Sequence, residues 1–466
     1  MEQGAGAVVD TDVDIVCLGE SMVTFLPSRG GRLADVPSFT RTIGGAESNV
    51  ACALAAAGHR VRWVGRVGRD GFGDHLVEAI GGYGVDVSGV GRDAGRPTGV
   101  YFRTDGERGE DGYEVAYYRA GSAASAMSVA NVPYEAVGGA RILHLSGITA
   151  ALSADCLELT RDLVRARDGR PLVSFDVNYR PGLWRDAETA GEVLLELARG
   201  ADVVFVGADE AGALWGVRDA IGVRALLPEP GVVVVKGGGE GAVSFERCVE
   251  PFERCAEQFP TPPLPETGGA APGPPRLKRR PGSRLRPAGG NSARPAFEGT
   301  AARPYGGPGR SPDTPATPAF EARGPGQSPG SGRGGVGEEA PRSGPGGPGG
   351  LGGPGAPTRQ GHRPDTVTPS PSPRVDVLAP TGAGDAFAAG FLHGVLRGLG
   401  PGERLRHGHL MAAAVLTVPG DLAEPPPRAL ADRLVALDDG AWGRLHLGPG
   451  WTGRGPHGPD QEVRTP

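Results

Sequence analysis

No run of 18 consecutive apolar residues occurs in the 466-residue chain, so no segment reads as a membrane-spanning helix. The opening residues, MEQGAGAVVDTDVD, are acidic and lack an apolar stretch, which argues against a secretory signal. Cysteine is scarce. Cys17, Cys52, Cys156, Cys248 and Cys255 have neither metal-ligand nor disulfide-framework spacing, so free, mostly buried thiols in a reducing cytoplasm are expected, and no metal ligand is assigned. A basic excess is missing too. With 48 basic and 54 acidic residues the net charge is −6, which gives no pull toward nucleic acid or an anionic membrane.

Glycine (81) and proline (45) are abundant, and unevenly so. Nearly half of residues 261–370 are one or the other, and hydrophobic periodicity is absent there. Such a stretch buries too little apolar surface to offset the entropy of ordering, so 251–373 reads as a disordered insertion. Within it RLKRRPGSRLRP (276–287) is strongly basic. It reads as solvated linker or as a contact for nucleic acid or acidic partners, and the Arg/Gly/Pro bias also suits a stretch read in a shifted frame. The insertion is expected to enter near the functional site, and 446–466 to fray.

Residues 12–250 alternate between short apolar runs and helix-period segments. DIVCLG (14–19), VRWVGRVG (61–68), RILHLSG (141–147), PLVSFDVN (171–178), ADVVFVG (201–207) and GVVVVKGG (231–238) read as strands. ESNVACALAAAG (47–58), GDHLVEAIGGYG (73–84) and DCLELTRDLVRAR (155–167) read as helices between them. This rhythm predicts an α/β fold: a mostly parallel central sheet, helices on both faces, ligands at the carboxyl ends of the strands. Residues 23–41 and 98–119 break the rhythm and read as a small β-sheet lid. Order resumes near 374 with RVDVLAP, and helix-like runs follow at 384–400 and 404–418. The first part of the domain is thus 12–250 and the second 374–445.

The chemistry centres on PTGAGDAFAAGF (380–391). Gly382, Ala383 and Gly384 before a helix would aim main-chain N–H groups at one point, an anion hole. No Gly-Lys-Ser/Thr follows, which excludes the common phosphate-binding loop. Asp385, beside that hole, can take a proton from a hydroxyl while the hole steadies a phosphoryl group in transfer. The plainer reading is a first-turn carboxylate facing the helix dipole.

TIGGAESNVACALAAAG (42–58), GRVGRDGFGDHL (65–76) and TGAGDAFAAGF (381–391), in this order, resemble the ribokinase, or PfkB, family of carbohydrate kinases. The resemblance covers about 12–250 and 374–435. It implies a ribokinase-like fold with a lid over the sugar, ATP and Mg²⁺ as cofactors with a monovalent cation as an option, Asp385 as base and Gly382–Gly384 as the anion hole. GGAESN (44–49), TGVYFR (98–103), YYRAGSAAS (117–125), HLSGITAALS (144–153) and DVNYRPGLW (176–184) look most like 2-keto-3-deoxygluconate kinases.

By that likeness Gly45 and Asn49 meet the sugar hydroxyls, and Tyr101, Tyr117, Arg119 and Arg180 hold the keto-acid end. A carboxylate substrate suits guanidinium donors. The alternatives are a solvated hairpin charge for Arg119, an ion pair with Asp176 for Arg180, and sheet packing for the tyrosines. Lys236, Gly238 and Gly241 lie along ATP by resemblance, and Glu210 helps organise Mg²⁺. The chain departs from the family pattern at Gly207, where Asn is usual, and at Ala379, where an acid is usual. His144 reads as a near-core histidine. Partners would be a sugar acid, ATP and, through the lid, a second copy of the chain.

Overall fold

The computed structural model describes residues 13–104, 115–247 and 365–453, with the backbone of 463–464. The basic run 276–287, Cys248 and Cys255 lie outside the described residues. The chain divides into a unit of Met1–Leu277 with His362–Pro466 and a second, Lys278–Gly361, which also lies outside them.

Strand β1 (Val13–Leu18) starts the main sheet, and the chain leaves it at once into the lid strands β2 (Met22–Pro27) and β3 (Phe39–Gly44). The main sheet continues with β4 (Val61–Gly68) and β5 (Val90–Asp93). The lid is completed by β6 (Val100–Arg103) and β7 (Val115–Tyr118). Then come β8 (Ala140–Ser146), β9 (Leu172–Asp176), β10 (Val203–Gly207), β11 (Val232–Lys236), β12 (Ala242–Glu246) and β13 (Thr366–Ser370). The nine-stranded order is β13-β12-β11-β10-β9-β8-β1-β4-β5, parallel from β11 to β5, with β12 and β13 antiparallel.

Alternation along each strand explains the helix layers. Val16, Leu18, Leu143, Leu145, Val204, Val206, Val233 and Val235 face one core, with helices Ala154–Val164 and Ala187–Gly200. Ile15, Cys17, Ile142, Val203, Phe205, Val232 and Val234 face the other, with helices Ala46–Ala56, Gly71–Gly82, Ala383–Leu396 and Pro401–Leu416. Both faces are covered, which is why these strands are nearly continuous apolar runs. Cys17, Cys52 and Cys156 are buried free thiols, and His144 is a core residue whose Nδ1 meets Ser174 Oγ at 3.0 Å.

From β1 the order runs outward to β4 and β5 on one side and to β8, β9, β10 and β11 on the other. The crevice at such a switch point is the usual ligand position in open α/β sheets. Here it is floored by Glu47, whose Oε1 accepts from Ser146 Oγ (2.7 Å) and Thr149 Oγ1 (2.8 Å). Its carboxyl leaves no room for a side chain at residue 19, at the end of β1.

The sequence boundaries need three corrections. The edge strand Thr366–Ser370 lies inside the span 251–373 read as insertion, so order resumes at least by residue 365. Its sequence, TVTPS, is polar and carries a proline, as only an edge strand tolerates. The start of 446–466 does not fray. His446–Leu447 pairs with Arg374–Val375, and Trp451 packs with Trp442, Leu445 and Leu447 in a third core. Last, the insertion does not root near the nucleotide side. Register pairs Glu246 with both Val232 and Thr366, whereas Ala242 is level with Lys236. Its roots are therefore at the end of the sheet opposite Lys236.

The lid is a four-stranded sheet in the order β3-β2-β6-β7. On one face Tyr101 and Tyr117 stand side by side, ring centroids 5.3 Å apart. On the other, Phe25 stacks on Phe102 at 4.6 Å, and Phe39 meets Phe102 edge-on. These pairs hold together a sheet too small to have a core of its own.

Candidate active site

The helix Ala383–Leu396 begins at Gly382, which has φ 83° and offers no side-chain cap. The left-handed turn needs glycine, and a Cβ there would also run into the Asp421 carbonyl. The first-turn amides of this 14-residue helix are thus left for an outside acceptor, at the positive end of the dipole. Gly384 is exposed beside them. That geometry suits a phosphate.

Asp385 does not cap its own helix. Its Oδ2 accepts from Asn49 Nδ2 at 2.9 Å and its Oδ1 from Asn178 Nδ2 at 3.3 Å. Two amides from separate elements fix the carboxylate without neutralising it. Burial pushes its pKa up to about 6, and Asp176 adds to the rise, while the Asn49 hydrogen bond, Arg180 and Lys236 pull against it. A carboxylate poised there is ionised at neutral pH yet basic enough to receive a proton.

Asn178 holds its position at φ 41°, the one positive-φ residue other than glycine among the described residues. Asparagine tolerates this region better than most side chains, and strain of this kind gathers at functional sites.

Beside Asp385, Lys236 Nζ contacts Asp176 Oδ2 at 2.8 Å and Oδ1 at 3.1 Å. It lies 3.7 Å from where a Cβ on Gly384 would be, so the ammonium faces the anion-binding turn. Only two of the 48 basic residues are lysines, Lys236 and Lys278. The compact ammonium of Lys236 sits between a buried carboxylate and the turn.

Glu210 accepts from the main-chain N–H of Gly207 (2.9 Å) and of Tyr179 (3.1 Å), and burial raises its pKa. Gly207 thus contributes its N–H at the helix start. Arg180 leans on Glu210 at 3.7 Å rather than on Asp176, which Lys236 has taken. The ion pair expected as the plain alternative is therefore replaced by another. Gly238 and Gly241 shape the turn after β11 with φ 58° and 115°, and Gly241 is pressed against the Ser370 carbonyl of β13. Ala379 is buried, with its N–H on the Leu416 carbonyl at 3.3 Å.

The lid supplies the second half of the cleft. Gly45 caps the helix Ala46–Ala56 in a spot where a Cβ would strike the Glu20 main chain. Tyr101 is buried with its hydroxyl on Asp421, while Tyr117 is half exposed. Arg119 is not a solvated hairpin charge: it is buried and paired with Glu20. Asn49 Oδ1, Arg103 Nε, Arg119 Nε and Glu47 Oε2 are buried without a hydrogen-bond partner among the described residues.

Sequence reasoning assigned no role to Asn178, Asp421, Glu20 or Arg103. Asn178 had a signal, an Asn between a strand end and a proline. Asp421 had none, since it lies in an irregular segment 36 positions after Asp385. Among the described residues no group of three or more His, Cys, Asp or Glu could hold a metal ion, and no helix is long and apolar enough to cross a membrane.

Comparison with known proteins identifies the family. Residues 12–267 and 351–428 match the model of the pfkB family carbohydrate kinases. A 2-dehydro-3-deoxygluconokinase from Bacillus subtilis (strain 168) is 37% identical over 234 residues, covering 49% of this chain and 72% of the relative. One from Thermoproteus tenax is 36% identical over 236 residues, covering 50% and 72%. Fructokinase-1 of Oryza sativa subsp. japonica is 32% identical over 240 residues, covering 50% and 73%. Among solved structures, a PfkB protein from Polaromonas sp. JS666 aligns with TM-score 0.56 and 25% identity, covering 88% of this chain and 98% of that one. A fructokinase with bound ATP from Xylella fastidiosa shares the fold, with TM-score 0.57 and 20% identity over 91% and 98% of the two chains. The fold is the ribokinase-like α/β fold. The chain belongs to the pfkB family of carbohydrate kinases.

Proposed function

We propose that this kinase transfers the γ-phosphoryl group of ATP to the terminal hydroxyl of 2-keto-3-deoxygluconate, giving the 6-phosphate. The carrying observation is the Asp385 carboxylate, held by Asn49 and Asn178 beside the uncapped helix start at Gly382. Asp385 takes the hydroxyl proton as the oxygen attacks in line, and the amides at Gly382–Gly384 bear charge on the transferring group. Lys236 adds a fixed positive charge to the same turn. Tyr101 and Tyr117 close over the sugar and exclude water as a competing acceptor.

Mg²⁺, carried in on the nucleotide, would neutralise phosphate charge there. Glu210 and Asp176 are the carboxylates positioned to hold it through water, and one or two carboxylates plus phosphates is the usual set for this ion. Gly238 and Gly241 form the open turn along which the nucleotide would lie.

The sugar-acid assignment draws on the two 2-dehydro-3-deoxygluconokinase relatives and on the cations of the cleft. The Arg180 side chain is 39% exposed and only loosely held by Glu210, so its fork can turn to a carboxylate. Arg119 is anchored by Glu20 and retains a free Nε. A neutral sugar requires neither. The fructokinase relatives favour a second reading, fructose as acceptor.

Steady-state kinetics on both sugars with the Arg180→Ala variant separates the two. The sugar-acid reading expects KM for 2-keto-3-deoxygluconate to rise about 10- to 100-fold, the worth of a charge-assisted hydrogen bond. Any activity on fructose would be unchanged. Preference for fructose, or an unmoved KM for the sugar acid, would overturn it.

A further inference from the structure

One buried arginine connects the lid to the anion-binding turn. Arg103, on β6 of the lid, is only 5% exposed. Its Nη1 donates to Thr381 Oγ1 at 2.9 Å, and its Nη2 lies 3.2 Å from Asp421 Oδ1. Thr381 immediately precedes Gly382, and the Asp421 carbonyl packs against Gly382 itself. The Asp421 carboxylate also receives the Tyr101 hydroxyl, from two residues earlier on the same lid strand. A single guanidinium therefore touches the lid, the residue before the turn and the segment that packs on the turn.

We propose that Arg103 is a positioning residue for phosphoryl transfer: seating of β6 sets the Thr381–Gly382 turn, so the amide-lined site reaches its working geometry only with the lid in place. The proposal rests on the reading of Gly382–Gly384 as the phosphoryl site.

The chemistry suits the role. A guanidinium is planar and rigid; here it donates to Thr381 and pairs with the Asp421 carboxylate, so displacement of the lid strand strains both contacts. The pair is deeply buried, which keeps water from substituting for either partner. The kinase gains a means of withholding phosphoryl transfer while the cleft is open to solvent, where water would be the acceptor. Arg103 touches neither reacting group; it acts through Thr381 and Asp421.

The test is a double-mutant cycle on the full chain, with kcat and KM measured for ATP and the sugar acid. The variants are Thr381→Val, Arg103→Gln and the two combined. Each single change is expected to lower kcat about 10- to 100-fold, the usual consequence of a displacement near 1 Å, with KM for ATP within about threefold of wild type. The double variant is expected to be no worse than the poorer single one, since both remove the same contact. Arg103→Lys keeps the charge but cannot span both acceptors, so its kcat is expected to fall with that of Arg103→Gln.

Additive losses, an effect confined to KM, or wild-type turnover in Arg103→Lys would each overturn the proposal. Arg103→Gln leaves the Asp421 carboxylate without its cation and could unfold. Thr381→Val preserves that ion pair, and normal kcat in this variant alone overturns the proposal. An inactive Asp385→Asn together with an additive cycle would sink the latch and leave the base. A coupled cycle beside a fully active Asp385→Asn would do the reverse.

Discussion

Asp385→Asn is expected to fold, bind ATP and sugar acid, and lose about 100- to 10,000-fold in kcat, the range a general base contributes. The side chain keeps its shape, so the cleft is undisturbed. What goes is the ability to accept a proton. Stability supplies an independent check. The folded-state pKa of Asp385 is raised above its usual value of 3.8 to about 6, chiefly by burial. The folded protein therefore holds this proton more tightly than the unfolded chain, and the contribution to stability is lost as pH rises through that window. At pH 7 the ionised carboxylate costs stability, and asparagine removes that cost. Against this, the new amide faces one of the two converging donors, Asn49 or Asn178, and forfeits a hydrogen bond worth about 1 kcal/mol. The variant is expected to unfold thermally within a few degrees of wild type. A first-turn carboxylate serving only the helix dipole would show a stability loss without the collapse in turnover.

Gly382→Ala is expected to damage both stability and turnover, though it adds a single methyl group. The position has φ 83°, which costs an L-residue about 1–2 kcal/mol. The methyl group would also meet the Asp421 carbonyl, main chain that cannot step aside as a flexible side chain can. Overpacking of that kind costs about 1–3 kcal/mol more. The turn must shift, and a shift near 1 Å at an oxyanion-type site costs about 100-fold in kcat. Chemical denaturation and steady-state kinetics on one preparation would read both losses. Wild-type kcat in a folded Gly382→Ala would show that the turn's geometry does not matter to transfer. Gly384→Ala serves as the contrast. Gly384 has ordinary helical φ, and the nearest atom a Cβ would meet is Lys236 Nζ at 3.7 Å, so its backbone would stay in place.

Much of this was legible in the sequence for identifiable reasons. Strands such as VVVVK (232–236) are buried on both faces, and their unbroken apolar character announces it. The turn at 382–384 is legible because a left-handed residue at a helix start demands glycine, and a carboxylate beside it is conspicuous. Long-range pairings are a different matter. Nothing local tells that Arg103 meets Thr381, 278 positions away, or that Tyr101 meets Asp421, 320 away. The charges of the cleft illustrate the same limit. Arg180 and Asp176 are close in the chain, yet the parallel register sets Lys236 beside Asp176 and leaves Arg180 to Glu210. Arg119 lies on an exposed-looking hairpin, and only the fold shows Glu20 beneath it. The edge strand Thr366–Ser370 was illegible because one flank pairs with β12 and the rest is half exposed, so no apolar pattern marks it.

The most direct test of the central claim is the pH dependence of kcat/KM for the sugar acid, in the wild-type chain and in Asp385→Asn. The base must be ionised to work, so the wild-type rate should be level above about pH 7 and fall tenfold per pH unit below the Asp385 pKa of about 6. In Asp385→Asn the residual rate should show no such acid limb. A variant that keeps the limb, or that turns over near the wild-type rate, would contradict the assignment of Asp385 as the proton acceptor.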